Sequence, residues 1–123
     1  MRALIVESQV DLGGLWQRHL WRLGVETDLV TSQEGAMRAL QEGGYDVMVL
    51  DLVLRDGAAL ALSDYASYRH PDLQVIFVTD TAFFSDGSIF NLCSNARAFV
   101  PTATPPEDLA AMVEHYGAPR AAS

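Results

Sequence analysis

Short apolar runs of strand length alternate along this chain with longer stretches whose apolar residues fall at helical spacing, and few architectures satisfy that pattern. It is the signature of repeated βαβ units, in which parallel strands are joined by helices that cover the sheet. Five units can be read. The first strand is Ala3-Leu4-Ile5-Val6, followed by a helix with Leu12, Leu15, Trp16, His19, Leu20 and Leu23 on one side, stopped by Gly24, with Asp11 capping or charging its start. A strand from Val25 to Val30 leads through Thr31-Ser32-Gln33-Glu34, which has capping-box spacing, into a helix with Met37 and Leu40 inward, ended by Gly43-Gly44. The third strand, Asp46 to Leu50, gives way to a loop with Arg55-Asp56-Gly57 and a helix from Ala58 to Tyr68, before His70-Pro71-Asp72 breaks the chain.

Gln74 to Val78 reads as the fourth strand, exiting at Thr79-Asp80. The helix after it has Ile89, Leu92 and Cys93 on its buried side, with Asn95 at its left-handed end. Ala98-Phe99-Val100 is the last strand. Thr104-Pro105-Pro106-Glu107 then supplies N-cap, first-turn proline and capping glutamate for a final helix through Leu109, Met112 and Val113. The expected fold is α/β: a doubly wound (βα)5 three-layer sandwich on a five-stranded parallel sheet. A single domain spans residues 1–116, with a flexible tail at 117–123.

Composition narrows the functional classes. The chain has 123 residues and half of them are apolar, enough for one domain that buries roughly two-thirds of its unfolded surface. Eight cations, all arginine, stand against sixteen acids for a formal net charge of −8. That charge repels nucleic-acid phosphates and anionic lipid, so no nucleic acid and no membrane is expected among the partners. Cys93 is the lone cysteine, which excludes an internal disulfide or a multi-cysteine metal site. With no apolar run of membrane-spanning length, the reading is a cytoplasmic protein.

In a doubly wound sheet, ligands bind outside the carboxyl ends of the strands. Those ends carry Glu7-Ser8, Asp51, Thr79-Asp80 and Pro101-Thr102. Asp51 follows the most apolar strand, Val47-Met48-Val49-Leu50, so its carboxylate stands at the rim of a strand covered on both faces. Glu7 and Asp51 together could hold a hard divalent cation, and Thr79 could hydrogen-bond an anion seated on Asp51. His19, His70 and His115 share no spacing that makes a metal site or a nucleophilic triad. Trp16 and Trp21, five residues apart, fall on different helix faces, Trp16 in the core and Trp21 partly exposed.

The segment Tyr45-Asp46-Val47-Met48-Val49-Leu50-Asp51-Leu52-Val53-Leu54-Arg55-Asp56-Gly57 resembles the phosphoacceptor strand and following loop of response regulator receiver domains, which have a flavodoxin-like fold. The likeness extends from Leu4 to about His115. It implies a phosphorelay module of two-component signalling, a switch or adaptor that is not an enzyme. Asp51 is then the phosphoacceptor, Thr79 the switch hydroxyl and Phe99 the switch aromatic, with magnesium held by Glu7, Asp51 and the Val53 backbone carbonyl. The partners implied are a sensor histidine kinase or phosphotransfer protein, a downstream protein, and a second copy through the fourth-helix face, where Phe83, Phe84 and Phe90 exceed the needs of a core.

The chain departs from the family in three places. Ser8 stands where a second acid is usual, Thr102-Ala103 where lysine-proline is usual, and Asp80 where a small residue is usual. Magnesium is therefore expected to bind weakly or not at all, and signalling to proceed through protein–protein contact. Arg55, in place of a common proline, is a candidate replacement cation. The alternative is a small-ligand-binding or phosphatase-like enzyme of the same architecture. A haloacid-dehalogenase-like phosphatase would need an acid where Val53 stands, and no glycine-rich phosphate loop follows the first strand.

Overall fold

The computed structural model describes residues 1–54, 57–79 and 96–117. Strands β1 (Arg2–Val6), β2 (Glu26–Val30), β3 (Val47–Asp51), β6 (Gln74–Thr79) and β7 (Ala96–Pro101) form one sheet, and the short strands β4 (Val53–Leu54) and β5 (Gly57–Ala58) a separate antiparallel pair. The helices are α1 (Val10–Arg22), α2 (Gln33–Glu42), α3 (Ala59–Arg69) and α4 (Pro106–Gly117). The helix expected between the fourth and fifth sheet strands, with Asp80, Phe83, Phe84, Phe90 and Cys93, lies outside the described residues, as do Arg55 and Asp56.

All sheet pairings are parallel, in the order β2-β1-β3-β6-β7. The strand order reverses beside β1, between β1 and β3, which is the switch point of the flavodoxin-like arrangement. The sheet is covered on both sides because its strands alternate between two cores. Leu4, Val6, Met48, Leu50, Val75 and Phe77 pack with Ala36 and Leu40 of α2 and Leu62 and Ala66 of α3. Ala3, Ile5, Val47, Val49, Ile76 and Val78 pack with Trp16 and Leu20 of α1 and Leu109 and Val113 of α4. Each central strand therefore needs apolar residues at successive positions, which explains the continuous runs in the sequence.

Local signals act where the chain turns. Gly24, at φ +80°, closes α1 by a Schellman motif: its N–H donates to Trp21 O (2.9 Å) and Val25 N–H to Leu20 O (3.0 Å). Asp11 lies in the first turn of α1, and the N-cap position belongs to Gln9. The start of α2 differs from the expected Thr31–Glu34 box. Ser32 is the cap, accepting from Gly35 N–H at 3.0 Å, and Glu34 instead pairs with Arg38 one turn on. The final helix is also shifted, since Pro105 O accepts the first helical bonds and Pro106 occupies the first turn. α4 continues through Gly117, whose α-carbon faces Met1 and Val47 so closely that a Cβ there would lie 2.7 Å from Met1 Sδ. Gly117, read from the sequence as the start of a 117–123 tail, thus belongs instead to the packed body, and residues 118–123 lie outside the described residues.

Candidate functional site at the carboxyl edge of the sheet

The strand ends meet at one rim because the ladder registers are nearly flush. Val6 pairs with Leu50, so Glu7 and Asp51 follow as neighbours on adjacent strands; Asp51 pairs with Val78, and Thr79 comes next. Backbone bonds extend the ladders past these residues: Glu7 N–H to Val30 O (3.1 Å), Leu52 N–H to Val78 O (2.9 Å) and Thr102 N–H to Thr79 O (3.3 Å). The backbone under each candidate residue is thereby held on one side by the next strand.

Glu7, Asp51 and Thr79 are 1%, 7% and 3% exposed, three of the four buried polar or charged residues of the described chain, and they stand together at one edge. By strand alternation Glu7 and Asp51 continue the side of Ile5 and Val49, toward α1 and α4. Glu7 Cβ is correspondingly 3.4 Å from where a Cβ on Gly13 of α1 would stand. One oxygen of Glu7, Oε1, accepts the Gln9 N–H at 3.1 Å, which holds the carboxylate over the start of α1 where the helix dipole favours negative charge. The role of the Gln9 amide was not legible in the sequence, since any residue but proline supplies that donor.

Thr79 continues the other side, that of Phe77. Phe99 pairs with Phe77 on the neighbouring strand and packs, half-buried, against the same core. The structure thus brings Glu7 beside Asp51 and Thr79 near Phe99, with the two pairs meeting at the rim between β3 and β6. Ser8 lines an open depression with Gln9, Val10 and Asp11 beside Glu7, and Thr102, half-buried, continues β7 next to Thr79. Val53, two residues beyond Asp51, has its backbone in β4.

Two buried carboxylates on neighbouring strand ends, with a backbone carbonyl close behind in the chain, are an oxygen donor set for a hard divalent cation. They fall short of a rich one: among the described residues no group of three or more histidine, cysteine or acidic side chains could hold a metal. Carboxylates are also oxygen nucleophiles, and Asp51, 7% exposed, closes β3 at the edge where doubly wound sheets bind their ligands. No helix among the described residues is long and apolar enough to cross a membrane.

No protein-family model matches the chain. It is 32% identical to the response regulator protein PilR of Pseudomonas aeruginosa over 78 residues, which cover 63% of this chain and 18% of PilR. Among solved structures it superposes on the non-phosphorylated HemR receiver domain of Leptospira biflexa with a TM-score of 0.86 at 23% identity, covering 99% of this chain and 98% of that one. The response regulator TrrA of Thermotoga maritima, in complex with Mg2+-BeF, gives 0.81 at 20%, covering 94% and 97%. The chain has the fold of response regulator receiver domains, and the curated relatives it matches are response regulators.

Proposed function

We propose that the chain is a receiver module of two-component signalling that keeps Asp51 at the phosphoacceptor position and acts through protein–protein contact, without turnover of its own. The observation that carries this reading is the buried Glu7–Asp51 carboxylate pair at adjacent strand ends, with Thr79 one step away, in a receiver fold. A histidine kinase or phosphotransfer protein and a downstream protein are the partner classes that this fold and these relatives suggest.

Phosphoryl transfer would have Asp51 attack phosphorus while the bond to the donor's imidazole or leaving oxygen breaks, leaving an acyl phosphate. Thr79 would then donate its hydroxyl to a phosphoryl oxygen, and Phe99 would follow. Glu7, Asp51 and the Val53 carbonyl are the groups that would hold magnesium, which when bound offsets the repulsion between Asp51 and the incoming anion. Ser8 withholds one carboxylate from that set, and Thr102 withholds the cation that would pair with the acyl phosphate. Both losses fall on the same step. The transfer is accordingly slow or absent, and the domain presents one state to its partner.

Magnesium with beryllofluoride, titrated against the labelled protein, tests this directly. We expect no saturable change in the amide signals of Leu52, Val78 and Thr79 at millimolar ligand, and the same spectrum for Asp51→Asn. A saturable shift at those amides, abolished by Asp51→Asn, would replace the contact-only reading with a working phosphorylation switch.

A further inference from the structure

The outward face of α1 has features the isolated domain does not require. Val10 and Trp21 are 60% and 55% exposed, and Asp11, Arg18 and Arg22 are exposed with them. At 3.6 residues per turn these five share the face opposite the buried Gly13, Trp16 and Leu20, with Gly14 at its middle. The two glycines differ in kind. A Cβ on Gly13 would lie 2.6 Å from Leu29 Cδ1, so the Leu29 side chain would have to shift, whereas among the described residues a Cβ on Gly14 would meet nothing within 4 Å. A glycine inside a helix costs stability relative to alanine, and among the described residues no close neighbour within one copy requires a glycine at position 14. Among the described residues, Asp11, Arg18 and Arg22 form no ion pair either.

We propose that this face is a homodimer contact in which α1 packs antiparallel on α1 of a second copy. The order along the helix is self-complementary under a two-fold axis: acid at one end, arginines at the other, an aromatic and a valine to meet across the seam, and a bare backbone at the crossing. Asp11 of each copy then faces Arg18 and Arg22 of the other, Val10 packs on Trp21, and Gly14 lets the helices approach closely. In a chain of net charge −8, a second copy needs such local complementarity to associate at all. One helix pair buries less than a standard stable interface, so the dimer is weak, with a dissociation constant on the order of 10⁻⁴ M. Because Val10 and Asp11 also line the depression beside Glu7, pairing covers that approach to the Asp51 edge. The contact does not depend on whether Asp51 is phosphorylated.

Sedimentation equilibrium of the whole chain over a concentration series, at about 0.15 M salt, tests the proposal with three variants. Asp11→Arg should weaken self-association by roughly tenfold or more, as should the double variant Arg18→Asp/Arg22→Asp, since like charges then face each other. Mixed one to one, these two variants should associate again, because every contact across the mixed pair is attractive. Gly14→Ala should raise the thermal midpoint of the dilute monomer while weakening the dimer, a combination that misfolding cannot produce. A monomeric wild-type chain at millimolar concentration would overturn the proposal. So would a dimer indifferent to all three variants, which would place the contact elsewhere, or a mixture that stays monomeric.

Discussion

Tyr45 shows how far one side chain can depart from what its identity implies. Its hydroxyl donates to Asp28 Oδ2 at 2.6 Å, and Arg2, which is 3.0 Å from the same oxygen, lies over its ring at 4.6 Å. Burial first, then the hydrogen bond and the negative charge of Asp28, push its ionisation up to about 12 from the ordinary 10. The folded state therefore holds this proton more tightly than the unfolded chain. The stabilisation is complete below pH 10 and is lost as pH rises toward 12. Ultraviolet titration should show the Tyr45 phenol ionising well above pH 10, and Asp28→Asn should lower that ionisation by removing the hydrogen bond and the negative charge. At the other end of the sheet, Asp51 was legible because it closes an unbroken apolar run. The attachment of Glu7 to the Gln9 amide was not, because a backbone donor leaves no mark in the sequence.

The elements were legible in proportion to how much of their signal is local. The glycine that ends α1 and the serine-threonine start of α2 were visible, but Thr31 and Ser32 are both competent caps. Only the docking of α2 on the sheet decided for Ser32 and freed Glu34 to pair with Arg38. Ser32→Ala should therefore cost about 1 kcal/mol, read from chemical denaturation, while Thr31→Ala should cost little. The two tryptophans divide as their spacing implied, Trp16 buried and Trp21 exposed. The β4–β5 pair was missed, since two-residue strands have too few positions to show a period. β7 reads as three residues from the sequence and has six, because Arg97 interrupts its apolar run.

For the molecule as a whole, stability rests on one sheet shared by two cores. Phe77 is fully buried at the centre of the core formed with α2 and α3, on a strand whose alternate residues build the other core. Phe77→Ala should destabilise by about 3–5 kcal/mol and lower the single thermal transition of both layers together. Separate melting of the α1–α4 layer would show that the cores are not coupled. The sequence by itself determined the βαβ succession, because strand and helix periods are local and the buried strands must be apolar throughout. It also placed an acid or hydroxyl at each site-bearing strand end. Only the tertiary structure decided that Glu7 and Asp51 are neighbours and that Thr79 lies near Phe99. Strand order and register are set by which faces pack across the sheet, through contacts between residues far apart in the chain.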